Sequence, residues 1–282
     1  MTGLLSLLVV VPFIFGLVLL ATKSNMLRRP IVFVGVAATI IGSVALSLPG
    51  VPESVKQLLV SPEKISLAML AVECLISLYL IVLCFRIRKP IIGLLAVAQA
   101  ALLLPLELGG HHATEVANNL VFDQFSVVLM LIIGVVGGLI CLYSLDYMQE
   151  FHVTHYPSLP DKRPSFFATL FIFLGAMFGL VFSNNLLWFY FFWEITTLCS
   201  FWLIGYKGND ESKANAYRAL LMNLTGGLAF AGALYWLVVH GQPVEIDRLV
   251  ASRPALVLIP AVLLSFAGLT KSAQMPFSSW LL

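Results

Sequence analysis

Leu186-Leu187-Trp188-Phe189-Tyr190-Phe191-Phe192-Trp193-Glu194-Ile195-Thr196-Thr197-Leu198-Cys199-Ser200-Phe201-Trp202-Leu203-Ile204-Gly205-Tyr206 carries a single charge, Glu194, near its middle. A run this apolar is long enough to cross a bilayer as a helix, which takes about 20 residues. A carboxylate there costs at least ~2.5–3.5 kcal/mol even on a lenient insertion scale. A second run, 255–275, carries Lys271 late in its length, followed by Ser272-Ala273-Gln274-Met275-Pro276-Phe277. Pro276 cannot continue a helix without freeing carbonyls, and broken helices beside ionisable groups are how transporters build ion sites near the midplane. One buried charge of each sign points to charge-coupled ion movement.

The rest of the 282 residues agree with a membrane setting. The chain is 60% hydrophobic and 11% charged, with mean hydropathy +0.98; soluble domains carry about 25% charged residues. The fold class is an all-α polytopic membrane protein. Apolar stretches run near 3–22, 31–49, 66–85, 90–107, 123–147, 165–183, 186–206, 215–239 and 255–275, giving about nine transmembrane helices. Ser183-Asn184-Asn185 makes the sixth and seventh a tight hairpin. Continuous rather than alternating runs exclude strands. No basic stretch precedes Gly3–Leu20, whereas Lys23, Arg28 and Arg29 follow it, the reverse of a cleaved signal peptide. With the N-terminus outside, the inner loops hold Lys23, Arg28, Arg29, Arg86, Arg88, Lys89, Lys162, Arg163, Lys207, Lys213 and Arg218. The outer side holds Lys56, Lys64, Arg248 and Arg253, so one orientation satisfies the positive-inside rule. The chain stops at Ser279-Trp280-Leu281-Leu282, which reads as the front part of a longer polypeptide or a naturally split subunit.

Several polar residues admit two readings. Glu194 is a translocation carboxylate or a protonated group that only hydrogen-bonds a neighbouring helix. Lys271 is a path lysine or an anchor that snorkels to the headgroups. A carboxylate and an ammonium about 7 Å apart would interact by roughly 2 kcal/mol at an effective dielectric near 20. Glu73, in the third span, lines a half-channel or packs as a neutral acid. Asp123 and Asp146, at the ends of the fifth span, are interfacial, or Asp146 marks a water-filled entrance. Gly226, Gly227, Ala229, Ala231, Gly232 and Ala233 suit close helix packing in lipid, and Asn223 and Thr225 could hold water between the charged helices. Cys74, Cys84, Cys141 and Cys199 read as buried structural thiols, with no iron–sulfur, haem or zinc ligand set. His111-His112 and His152-x-x-His155 read as loop residues without a metal, and His240 as a helix cap. The scattered basic residues give no nucleic-acid surface; the environment is the lipid bilayer.

Three blocks resemble a known family. Tyr143-Ser144-Leu145-Asp146-Tyr147-Met148 is similar to the "YSxGYM" helix end of the antiporter-like subunits of respiratory complex I. Phe192-Trp193-Glu194 through Leu198-Cys199-Ser200-Phe201 and Leu203-Ile204-Gly205-Tyr206 resembles their "WExxxLCSYxLIG" helix. Lys271-Ser272-Ala273-Gln274 with Pro276-Phe277 and Trp280 resembles "KSAQxPxxxWL". The resemblance is shared with the L-type subunit of complex I, the large subunit of Mrp-type cation/proton antiporters and the corresponding subunit of energy-converting [NiFe] hydrogenases; the "PFSSWLL" ending leans toward the last. It implies the front part of a proton-translocating domain over 120–282, with Glu194 and Lys271 as the path pair; the four N-terminal spans over 1–110 come from the apolar runs alone, those near 66–107 have no counterpart placed in the family, and Glu73 and Asp146 stand as further candidates on the residue reading. The resemblance implies a proton- (or sodium-) translocating subunit, without a redox centre of its own, in a redox-driven complex of the inner (cytoplasmic) membrane. Iron–sulfur clusters with flavin or nickel–iron would then sit in partner subunits, among other membrane subunits and a peripheral electron-transfer arm. The alternatives are a subunit of an Mrp-type antiporter, or a scaffold whose charges only fix helix register.

Overall fold

The structure is a computed structural model that describes residues 3–48, 62–108, 116, 118–157, 159–252 and 257–280. Its regular elements are helices: α1 (Gly3–Ala21), α2 (Asn25–Ser47), α3 (Pro62–Ile87), α4 (Pro90–Leu108), α5 (Gln124–Leu131), α6 (Gly138–Glu150), α7 (Arg163–Phe182), α8 (Leu186–Ile204), α9 (Asp210–Val239), α10 (Ile246–Ser252) and α11 (Leu258–Lys271). π-helical turns at Ile132–Gly137 and Phe151–His155 make α5 and α6 one continuous rod, Gln124–His155. Among the described residues six helices are long and apolar enough to span a membrane, with three shorter apolar ones beside them. Helices satisfy every internal backbone donor and acceptor within one segment, which hydrocarbon demands. Local chemistry sets their starts. Pro62 and Pro90 occupy first-turn positions where no N–H is required. Asp123 caps α5, accepting the Ser126 amide and hydroxyl at 2.7 Å each. Those donors hold its carboxyl below the ordinary aspartate range.

The helices form two compact units that cut across chain order: residues 1–59, 121–182 and 205–208, and residues 60–120, 183–204 and 209–282. The two helices expected as a hairpin, α7 and α8, therefore belong to different units.

In the first unit, α1 packs on α7 and α2 on α6, around buried Leu19, Val36, Cys141, Phe167 and Phe171. His152 and His155 are not loop residues: the rod runs on through them, and buried His152 meets the Tyr206 hydroxyl at 2.7 Å. Nearby, the Arg163 guanidinium grips Asp161 at 2.8 Å and holds its carboxyl at about 2. Burial pushes the Tyr206 phenol above its usual range. His111 and His112 lie outside the described residues, as do Lys56, Arg253, Leu281 and Leu282.

In the second unit, α9 is the axis, with α4, α8 and α11 packed on it and α3 against α4 and α8. A polar latch ties three chain segments at one end. Asn184 donates its amide N–H to Asn119 O (2.9 Å) and its side chain to Asn118 O (2.9 Å) and Asp247 Oδ1 (3.0 Å). Asn185 bonds Asn119 Oδ1 at 2.8 Å. Fully buried Glu245 accepts the Asn118 amide (3.0 Å) and pairs with Arg248 at 2.6 Å. Three of the four cysteines are buried as expected, but Cys74 is exposed on α3.

The expected break after α11 is present, with a different cause. The helix ends at Lys271, before Pro276, because Ala273 turns left-handed at φ 52°. Gln274 N–H then reaches back to Leu269 O (3.0 Å) and Ala273 N–H to Thr270 O (3.4 Å). This is a Schellman closure with alanine where glycine is usual. The Trp280 indole donates to Thr270 O at 3.0 Å, capping another carbonyl the break would orphan.

Candidate functional site

The site lies wholly within the second unit. Helix α8 is buried over nearly its whole length, and Glu194 is 4% exposed. Its Oε1 has no hydrogen-bond partner among the described residues. The Tyr190 hydroxyl, one turn earlier, is within hydrogen-bonding reach of the carboxylate. Trp193 and Thr197 flank it on the same turns. The Trp193 carbonyl accepts the hydroxyls of Thr196 (2.8 Å) and Thr197 (3.1 Å), so oxygen density gathers where the chain carries its carboxylate.

Lys271 approaches that turn from the end of α11. Its ammonium donates to Thr197 Oγ1 at 2.8 Å and Trp193 O at 3.2 Å, and stands 5.2 Å from the Trp193 ring centre. It does not form a direct ion pair with Glu194. The lysine is thus moored by neutral acceptors beside the carboxylate. That is not the geometry of a snorkelling anchor, whose ammonium would lie out among headgroups.

Close packing makes this reach possible. A Cβ on Gly226 of α9 would fall 1.9 Å from Thr270 Oγ1 and 3.1 Å from Thr270 Cβ, so α11 lies flush on bare backbone. On Gly227, a Cβ would fall 2.4 Å from Gln99 Nε2 and 2.5 Å from Glu194 Oε1. The small-residue face expected in α9 therefore seats both charged helices. Asn223, also on α9, is buried; its amide donates to Ala219 O (2.8 Å) while its Oδ1 has no partner among the described residues. Thr225 is spent on Leu221 O at 2.9 Å.

Glu73 on α3 lines a cavity of about 220 Å3 together with Ser77, Gln99, Tyr190 and Glu194. Three of the four candidates are thus gathered in one unit. Asp146 is not among them: it belongs to the first unit, is exposed, and pairs with Arg29, which also bonds Gln149 at 3.0 Å. Sequence reasoning missed Gln99 and the seating role of Thr270. Gln99 had a signal: it is the one amide in the otherwise apolar Pro90–Pro105 run. Among the described residues no cluster of His, Cys, Asp and Glu could hold a metal.

Residues 183–282 match the family described as NADH:quinone oxidoreductase/Mrp antiporter, TM, and residues 112–156 match NADH-Ubiquinone oxidoreductase (complex I), chain 5 N-terminus. Over these two segments the chain is similar to complex I/Mrp antiporter-like membrane subunits. Among its relatives, the A1 subunit of the Na(+)/H(+) antiporter of Staphylococcus haemolyticus is 33% identical over 171 residues, 58% of this chain and 20% of that protein. The A/B subunit of the probable K(+)/H(+) antiporter of Rhizobium meliloti is 38% identical over 169 residues, 56% of this chain and 16% of that protein. The antiporter-like chain thus spans a fifth or less of the length of these relatives. The matched segments contain Asp146, Glu194 and Lys271; Glu73 and Gln99 lie outside both. These relatives bear antiporter names, and the leaning toward the hydrogenase group gains no support from them.

Proposed function

We propose that this chain carries a proton- (or sodium-) translocating path through the membrane part of a multi-subunit cation/proton antiporter assembly, with Glu194 and Lys271 as its working pair and Glu73 on the approach. The observation that carries the reading is the mooring of the Lys271 ammonium on Thr197 Oγ1 and Trp193 O, on the helix that bears the buried Glu194. An ammonium held by neutral oxygens keeps its proton while a carboxylate stands nearby and yields it when that negative charge is neutralised or drawn away. The break at Ser272–Gln274 leaves Lys271 at a helix terminus beside α8. Asp146, paired with Arg29 at the surface of its unit, is a weaker candidate for an entrance.

The names of the relatives favour an antiporter driven by a cation gradient. A second reading keeps the same pair within a redox-driven complex, supported by the oxidoreductase descriptions of both matching families. There, electrons would pass through partner subunits holding iron–sulfur clusters with flavin or nickel–iron, and reach this chain only as a changed field. Either way the chain works among other membrane subunits in the inner (cytoplasmic) membrane, with its N-terminus outside as the basic-residue pattern favours.

The test is proton movement in everted vesicles holding the assembled complex, with wild type, Glu194→Gln and Lys271→Met compared under a sodium or potassium gradient and under an electron donor. Loss of proton movement in both variants, with assembly intact, is the expected result. Unchanged movement in both would sink the reading and leave the charges as register-fixing scaffold. Dependence on an electron donor would select the second reading.

A further inference from the structure

Glu194 Oε1 is buried and unpartnered among the described residues, and burying an unpaired carboxylate oxygen is costly. A polar atom in hydrocarbon surroundings survives in that state only if something nearby completes it during the working cycle. Besides the Tyr190 hydroxyl, a neutral donor faces the carboxylate from α4. Gln99 is 4% exposed, and one N–H of its amide is committed to Leu224 O at 2.9 Å. The second N–H of that nitrogen remains. Gln99 Nε2 and Glu194 Oε1 press on the same bare patch of α9 at Gly227, where a Cβ would lie 2.4 Å from one and 2.5 Å from the other. Gln99 and Glu194 also line the cavity of about 220 Å3 that Glu73, Ser77 and Tyr190 border. A cavity of that size with several polar walls has room for several waters.

Building on the function proposed above, we infer that Gln99 is a positioning residue: during the working cycle its second amide N–H takes up Glu194 Oε1 and steadies the carboxylate at the mouth of a water-holding cavity lined by Glu73, so that protons arriving there meet Glu194. The Leu224 bond fixes the amide's orientation, and the absence of a side chain at Gly227 leaves both groups facing one open patch of α9. The titratable groups facing Glu194 are Tyr190 on its own helix, Glu73 from α3 and Lys271 from α11, with Cys199 two residues beyond Thr197; Gln99 and Asn223 contribute from α4 and α9 without charge. Neither matched segment includes Gln99, so the device belongs to the spans that this chain carries ahead of them.

The experiment uses Gln99→Met, which keeps the volume and removes the amide, with Gly227→Ala as a second variant that wedges the two groups apart without deleting either. Both are measured in vesicles with the assembled complex, for proton movement across a range of pH. A donor to a charged group is worth enough to change a rate or a midpoint by about a decade. The expected result is a roughly tenfold slower movement and a pH profile displaced by about one unit in both variants, with assembly retained. Slower movement with the wild-type pH profile would overturn the inference and leave Gln99 as a strut to Leu224. A rate and profile both unchanged would overturn it as well. If Gln99→Met fails to assemble, Gly227→Ala decides alone by the same two readouts. Glu194→Gln run alongside separates the levels: if it also leaves proton movement intact, the functional reading itself has failed, whereas loss in Glu194→Gln with a wild-type Gln99→Met profile removes only the role given to Gln99.

Discussion

Gly226→Ala is the sharpest test of how the lysine is delivered. The added Cβ would lie 1.9 Å from Thr270 Oγ1, 3.1 Å from Thr270 Cβ and 3.4 Å from the Ala267 carbonyl. Rotating the threonine turns its hydroxyl away but leaves its Cβ 3.1 Å from the new atom, so α11 must shift off α9 by a few tenths of an ångström. Overpacking of this kind costs about 1–3 kcal/mol. The displacement is passed to the next residue, Lys271, whose 2.8 Å bond to Thr197 Oγ1 has little slack before it is no longer a hydrogen bond. A charged hydrogen bond is worth about 1.5–3 kcal/mol, so cation- or donor-driven proton movement falls about tenfold to a hundredfold. The assay pairs vesicle transport with thermal unfolding of the purified protein. The decisive partner is Thr270→Ala, which clears the space the new Cβ needs. Alone it loses the bond from Thr270 Oγ1 to Ala267 O (2.7 Å) and some packing. Combined with Gly226→Ala it restores part of both stability and transport, a coupling between touching residues. Effects of the two substitutions that simply add would refute the steric reasoning.

Other outcomes follow from single contacts. Thr197→Val removes the hydroxyl that accepts from Lys271 while keeping the shape, and slows proton movement about tenfold with little change in thermal stability; normal transport would show that Trp193 O suffices. Ala273→Gly relieves a left-handed alanine at the end of α11 and raises stability by about 1 kcal/mol, read as a higher midpoint in thermal unfolding, whereas Ala273→Val lowers it. The Asp161 carboxyl is held at about 2 by Arg163, so its contribution is present above the unfolded aspartate value near 4 and is lost as pH falls through about 2. Asp161→Asn therefore destabilises at pH 7, and the gap to wild type narrows between pH 4 and 2; because Asp161 is partly exposed, added salt also shrinks it. A gap constant with pH would assign Asp161 another role.

The helices were legible because lipid imposes a strong, local rule: apolar runs of spanning length are helices. The candidate pair stood out for the complementary reason that charge in such a run is costly, and the structure brings Lys271 to the turn of α8 that bears Glu194. What was not legible depends on which helix lies beside which. Apolar runs carry no partner code, so nothing in α3 and α4 foretold that they join α8 and α9 while α1 and α2 join residues 121–182. His152 read as a loop residue because its neighbours Thr154, His155 and Tyr156 break the apolar pattern, yet π-helical turns carry the rod through it. Pro276 drew the eye to the break, but the turn is made by Ala273, a residue whose identity gives no hint of a positive φ.

The mooring of Lys271 on neutral oxygens bears on how the proposed pair would switch. In a low-dielectric interior a touching carboxylate–ammonium pair is hard to part, because removing one partner strands the other at a cost of several kcal/mol. Glu194 and Lys271 avoid that contact. At an illustrative spacing of about 7 Å and an effective dielectric near 20, two unit charges attract by about 2 kcal/mol, a factor of roughly thirty in proton occupancy. That is large enough to gate a proton and small enough for a neighbouring charge of similar size to reverse. Thr197 and Trp193 hold the ammonium in place whichever way the carboxylate is charged, so the field can change without the lysine losing its position. Replacing Thr197 by Asp would convert the spaced pair into a contact pair. Lys271 should then lock in its charged state and proton movement stop, while thermal stability stays level or rises. Continued transport with an aspartate in contact with Lys271 would mean that the spacing of the charges is not what makes this site work.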